Sequence, residues 1–145
     1  MGAPRTFVRS YLGYLLGQAN HALYRDFDAQ VRAAGLRSLE WRVLATLSDV
    51  AALSISELAA EVLAKQPTVT KLVQRMMQQG WLVQHDDPQD QRRVLVSITA
   101  AGAAHVAPLL RQARMHEAQV LAALGEPDAT ALKALLGKLA RLPSA

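Results

Sequence analysis

Apolar residues recur at Val8, Leu12, Leu15, Ala19, Leu23, Phe27 and Val31. Steps of three and four place them on one stripe. The spacing predicts a long helix from Phe7 to about Ala34, stopped by Gly35. Ser38 stands where a cap would open a second helix, with Leu39, Val43, Leu44 and Leu47 on its inner face. Ser54, Ile55, Ser56 and Glu57 have the Ser-x-x-Glu spacing of a capping box. They start a short third helix that turns Leu58, Ala59 and Val62 inward and ends near Leu63. A fourth helix begins near Gln66, with Pro67 in the first turn, where its missing N–H is harmless. Val69, Leu72, Val73, Met76 and Met77 form its buried side, and Gly80 ends it.

The pattern then changes period. "WLV" (81–83) and "VLVSI" (94–98) are short β runs flanking a polar stretch, and they read as a hairpin. Thr99 is placed to cap a fifth helix running to about Leu124, with Val106, Leu109, Leu110, Ala113, Val120, Leu121 and Leu124 as its stripe. Pro108 lies inside it and predicts a bend. Gly125 and Pro127 break the chain. A last helix follows, with Leu132, Leu135, Leu136 and Leu139 facing inward. The fold class is mainly α with a small β-hairpin, over one domain spanning residues 1–145.

Composition narrows the function. Half the residues are apolar, enough for a core, and 16 Lys and Arg against 12 Asp and Glu give a net charge of +4. That balance is compatible with a polyanionic partner. The chain has no cysteine, which excludes disulfides, thiolate metal sites and a cysteine redox switch. No apolar run approaches the ~20 residues a membrane helix needs. The opening "MGAPRTFVRS" lacks the apolar core and cleavage site of a signal peptide. A soluble cytoplasmic protein with no membrane partner is expected.

Two short helices joined by a tight turn make a helix-turn-helix, and a hairpin directly after the second makes it winged. The second helix of such a unit can enter the DNA major groove. Here its exposed side carries Gln66, Thr68, Thr70, Lys71, Gln74, Arg75 and Gln78, with no carboxylate between Gln66 and Trp81. A merely solvated helix mixes both signs. A face of amide, hydroxyl and cationic donors suits a phosphate-lined groove. Gln pairs with adenine edges, Lys and Arg with guanine or phosphate, and a Thr methyl with thymine. Lys65 stands where Ser, Thr or Asp would cap and opposes the helix dipole. Either a phosphate sits there in the complex, or a surface lysine is simply tolerated. In the hairpin, Arg92 and Arg93 alternate across a strand, so they point apart, and Asp86, Asp87 and Asp90 are close enough to hold an arginine. A braced guanidinium at a hairpin tip suits a narrow minor groove.

The segment "LSISELAAEVLAKQPTVTKLVQRMMQQGWLVQHDDPQDQRRVLVSITAAG" (53–102) resembles the winged helix-turn-helix of MarR-type bacterial transcriptional regulators. The matches are "SISELA", "PTVTKLV", "QQGWL", the wing "DPQDQRRVLVSIT" with Asp90 and Arg92 as Asp-x-Arg, and the following Gly102. "LEWRVLATL" (39–47) resembles that family's second helix. The family often has Arg at Gln91, Gly at Leu63, and a Ser or Asp cap at Lys65. The resemblance implies a homodimer built by residues 7–34 and 99–142 around a DNA-binding lobe at 38–98. It implies a double-stranded, pseudo-palindromic operator with half-sites ~34 Å apart. It further implies a repressor released by a small ligand, often an aromatic or phenolic acid. The DNA-binding residues would be Lys65, Gln66, Pro67, Thr68, Thr70, Lys71, Gln74, Arg75, Asp90, Arg92 and Arg93.

For the ligand, Tyr14, Gln18, His21 and Arg25 form a stripe on the first helix, with Tyr11 beside it and Trp41 and Arg42 opening the second. Aromatic walls with a cation suit an aromatic carboxylate. The alternative is that the aromatics are core and the arginines are solvated or touch phosphate. No metal or cofactor is expected. His105 and His116 are ~16 Å apart along one helix, and His85 with Asp86 and Asp87 reads as a polar turn more readily than an ion site. There is no Ser/His/Asp spacing, no glycine-rich phosphate loop and no paired carboxylates, since Glu57 and Glu61 read as solvated charge; an enzyme is not expected. The competing class is a winged-helix module for protein assembly without DNA, which an apolar or mixed face at Gln66–Gln78 would have favoured.

Overall fold

In a computed structural model the chain is described from residue 7 to residue 144. The helical periodicities become α1 (Phe7–Ser10), α2 (Leu12–Ala33), α3 (Ser38–Ser48), α4 (Ile55–Glu61), α5 (Gln66–Gln78), α6 (Ala100–Leu124) and α7 (Asp128–Ala140). Three strands join them: β1 (Leu53–Ser54), β2 (Leu82–Asp87) and β3 (Asp90–Ile98). The predicted first helix is therefore two. Tyr11 is extended, with φ −68° and ψ 130°. The Ser10 hydroxyl donates to the Phe7 carbonyl at 3.1 Å, and Gly13, a poor helix former, follows. The Tyr11 ring folds back on Phe7, centroids 5.2 Å apart.

Gly35 does stop α2. At φ 76° it lets the Leu36 N–H reach the Val31 carbonyl at 3.1 Å, closing the last turn. The start of α3 differs from the expected Ser38 cap. Ser38 is already helical, and Glu40 reaches back to accept the Arg37 N–H at 3.0 Å. A carboxylate in the first turn also suits the helix dipole.

Two compact units divide the chain, one up to Leu109 and one from Leu110 onward. The core of the first is built from Leu44 and Leu47 of α3, Leu58 of α4, Val69, Val73 and Met76 of α5, and Val96 of β3. Val106 and Leu109 of α6 are buried as well, so this compact unit continues past the wing to Leu109. Of the stripe predicted for one long first helix only Phe27 and Val31 are buried; Val8 of α1 and Leu12, Leu15 and Leu23 of α2 are exposed. Pro108 lies inside α6, as its position predicts. In the second unit, Lys133 of α7 meets Glu117 of α6 at 2.7 Å. Ala129 is buried, but Leu124, Leu132, Leu135 and Leu136, which their spacing predicts to face inward, are exposed in the single chain.

The sheet is antiparallel in the order β1-β3-β2, so a third strand accompanies the predicted hairpin. Two residues, Leu53 opposite Val96 and Ser54 opposite Leu95, make it, too few to leave a periodic signal. The hairpin strands also run further than the apolar runs, taking in His85 to Asp87 and Asp90 to Arg93. The distal residues are mostly exposed, so hydrophobicity does not mark them as strand. No helix among the described residues is long and apolar enough to cross a membrane.

Candidate nucleic-acid interface

The turn between α4 and α5 sets the angle of the second helix. Ser54 caps α4 by accepting the Glu57 N–H at 3.2 Å. After α4, Leu63 adopts φ 57°, with Leu63 N–H to the Ala60 carbonyl at 3.4 Å and Ala64 N–H to the Ala59 carbonyl at 3.0 Å. This is the closing motif that normally takes glycine. Gly80 makes the same closure after α5, at φ 82°. Leu63 is 86% exposed, so its side chain gains little packing in return for that conformation.

Lys65 is the N-cap of α5 and offers no side-chain hydrogen bond to the helix. Val69, Leu72, Val73 and Met76 are buried. Gln66, Pro67, Thr68, Lys71, Gln74 and Arg75 are exposed, and Thr70 is half-buried. The donor-only side read from the sequence is thus the outward side of the helix.

The wing separates the two arginines by a different route from strand alternation. Asp86 pairs with Val94, and the next pair is Asp87 with Asp90. Gln91, Arg92 and Arg93 are the extra residues on β3, a bulge that re-aims side chains. Arg93 turns back to pair with Glu57 of α4, and its Nη1 lies 4.0 Å from Asp87. Glu57 is held in turn by the Ser54 hydroxyl at 2.8 Å, so it is not the solvated charge expected of it. Arg92 points away: its side chain is 95% exposed, with Nε 3.7 Å from Asp90. Asp90 also accepts the Arg92 N–H at 3.0 Å, and Asp87 accepts the Gln89 N–H at 2.9 Å, fixing the tip. Asp86 forms no ion pair among the described residues.

The wing is anchored at its base. Thr99 accepts the Gly102 N–H at 3.0 Å, capping α6 as expected, and its hydroxyl donates to the Gly80 carbonyl at 2.6 Å. A Cβ on Gly102 would lie 2.3 Å from the Trp81 carbonyl oxygen, so only glycine fits there. His105 stacks on Trp81 with centroids 4.6 Å apart and bonds the Ala34 carbonyl at 3.1 Å. His85 lies on β2 with Nε2 2.9 Å from Ser97 Oγ, which itself donates to the Ala51 carbonyl; it is in the sheet and not in a turn.

The residues considered for a ligand do not all fall together. Trp41 is buried against Phe27, ring centroids 5.3 Å apart. Arg42 donates to the Val62 carbonyl at 2.8 Å, tying α3 to the end of α4. Both are thus held within the first unit, Trp41 by ring contact and Arg42 by a hydrogen bond. Tyr11, Tyr14, Gln18, His21 and Arg25 are exposed along α2 and at its start.

A family model described as the MarR family matches residues 34–93, from the end of α2 into the wing. A MarR family transcriptional regulator from Silicibacter pomeroyi DSS-3 has a solved structure that is 38% identical, with a TM-score of 0.85. The similarity covers 93% of this chain and 96% of that one. This chain belongs to the MarR family. Its winged-helix fold is that of its MarR neighbours. It is also similar to the transcriptional repressor NicR of Pseudomonas putida, 27% identical over 91% of this chain and 84% of NicR. The structure of Bordetella bronchiseptica BpsR, whose DNA binding is regulated by 6-hydroxynicotinic acid, is 26% identical. That match covers 97% of this chain and 100% of BpsR, with a TM-score of 0.82.

Proposed function

We propose that this MarR-family regulator is a homodimeric, sequence-specific DNA-binding repressor that a small aromatic acid releases. The observation that carries the reading is the outward face of α5, free of carboxylates, in a fold whose wing presents Arg92 to solvent. In the complex α5 lies in the major groove and Arg92 enters the adjacent minor groove, where negative potential favours a cation. Arg93 contributes by holding the wing to α4 and does not itself contact DNA. An assembly module would present an apolar or mixed-charge face, and that of α5 is neither.

Dimerisation draws on a second observation. Leu12, Leu15 and Leu23 of α2, and Leu132, Leu135 and Leu136 of α7, are large apolar residues left exposed in the single chain. Exposed apolar faces of this kind, one in each unit, call for a partner. A second copy covers them through residues 7–34 and 99–142, leaving the lobe at 38–98 for DNA. The repressor role and the aromatic acid are supported by the similarity to NicR and BpsR. Tyr11, Tyr14, Gln18, His21 and Arg25 are the proposed ligand-facing residues, the last offering a cation to the carboxylate. The ligand need only favour a spacing of the two lobes that mismatches the half-sites. A coupling of ~1–3 kcal/mol corresponds to a 5–150-fold change in affinity.

Titration of a duplex from the flank of its own gene, with and without 6-hydroxynicotinic acid and related aromatic acids, tests the reading. Saturable binding that an aromatic acid weakens at least about fivefold is expected. Equal affinity with every acid would remove the ligand from the account, and no binding would remove the DNA.

A further inference from the structure

The exposed residues of α5 lie on two flanks. Gln66, Thr70 and Gln74 recur every four residues on one; Thr68, Lys71 and Arg75, at steps of three and four, lie on the other. The second flank borders a cleft of 460 Å³ whose facing wall is the start of α3. Arg37 and Leu39 contribute that wall, opposite Thr68, Lys71, Leu72 and Arg75. An adjoining cleft of 310 Å³ shares Arg37 and Arg75 and adds Arg32.

The charges here are unevenly spent. Arg32 is paired with Asp28 at 2.9 Å. Glu40, the carboxylate that lines both clefts, is buried and accepts the Arg37 backbone N–H. Arg37, Lys71 and Arg75 form no ion pair with any carboxylate among the described residues. Three cations and a hydroxyl therefore surround leucine side chains in one open cleft. An isolated phosphate has no use for that apolar floor. A nucleic-acid strand does, because its phosphates alternate with apolar sugar faces.

We propose that the cleft between α3 and α5 seats one sugar–phosphate strand of the bound duplex, with Arg37 as a phosphate contact outside the helix-turn-helix. Thr68, Lys71 and Arg75 then face the backbone, and base choice falls to the flank of Gln66, Thr70 and Gln74. Contacts to phosphate position a protein without carrying sequence information. The inference rests on the DNA-binding reading and adds to it a division of labour along α5.

Salt titrations of duplex binding by the full chain test it, comparing wild type with Arg37→Ala, Arg37→Lys, Arg75→Ala and Arg92→Ala. Each phosphate contact contributes ~0.9 to the slope of log affinity against log salt. Arg37→Ala should lower the slope by about that much, with the same proportional loss on the preferred and an unrelated duplex. Arg37→Lys should keep the slope, and Arg75→Ala should lose affinity uniformly over sequences. The Glu40 bond to the backbone of residue 37 survives these changes, and circular dichroism verifies the fold. An Arg37→Ala slope equal to wild type overturns the proposal, as does a loss at Arg75 confined to particular bases. Either result, with wild type bound and Arg92→Ala weakened, leaves the DNA-binding reading standing. Wild type that binds no duplex in dilute salt removes both.

Discussion

At the scale of single residues, adjacent arginines have opposite surroundings. Arg93 is paired to Glu57 and lies near Asp87, whereas Arg92 is held only loosely beside Asp90 and is almost fully solvated. A partner that supplies negative charge has most to gain from Arg92. Arg92→Ala should therefore weaken duplex binding and flatten its salt dependence by about one unit. Arg93→Ala should also weaken binding, because the wing loses its tie to α4, yet leave the salt slope unchanged. The same salt titration separates the two roles, and equal slope changes would contradict the assignment. Leu63 gives a second residue-scale prediction. A left-handed conformation costs an ordinary residue about 1–2 kcal/mol, and the exposed side chain recovers little of it. Leu63→Gly should raise stability by up to ~1 kcal/mol once the unfolded-state entropy of glycine is set against that relief. Chemical denaturation measures it; a loss of 1 kcal/mol or more would show that the leucine packs usefully.

At the scale of elements, the junction of wing and α6 is the least forgiving point. Thr99 caps α6 and bonds the Gly80 carbonyl, while Gly102 touches the Trp81 carbonyl with no room for a methyl group. Gly102→Ala should destabilise the fold by about 1–3 kcal/mol through overpacking. Unchanged denaturation would show that the two segments move apart freely. Half of this junction was legible in the sequence: Thr99 stands where a cap is needed, whereas Gly102 matched only a family pattern and its close approach to Trp81 shows in the fold alone. Periodicity also revealed α3, α4 and the inward side of α5, because burial there selects apolar residues at helical spacing; it revealed α6 and α7 as well, although Leu124, Leu132, Leu135 and Leu136 stay exposed in the single chain. It missed what burial does not select. The break at Tyr11 arises from Ser10 and Gly13 on an exposed segment. The distal wing strands are solvated, and β1 spans two residues. The bulge at residues 91–93 leaves no compositional trace, although it decides where Arg92 points. Trp41 and Arg42 carry the residue types of a ligand pocket, and the fold shows Trp41 against Phe27 and Arg42 bonded to the Val62 carbonyl.

At the scale of the molecule, the apolar surfaces left uncovered on α2 and α7 concern assembly. Phe27 is unsuited to testing them, because it is buried with Trp41 inside the first unit. Leu15 is about half exposed and makes a cleaner probe. Leu15→Asp should leave the thermal transition of the lobe intact and raise the dimer dissociation constant about tenfold or more, the equivalent of ~1.4 kcal/mol. Sedimentation over a concentration series reads this directly; a dimer as tight as wild type would exclude that face from the interface. Two-fold pairing would also present two α5 helices to successive major grooves. The most direct measurement is a footprint of the purified regulator on the DNA flanking its own gene, in dilute salt. Two protected half-sites about one helical turn apart, lost with Arg92→Ala, are the predicted result. Uniform cleavage with no preference for any duplex would contradict the account.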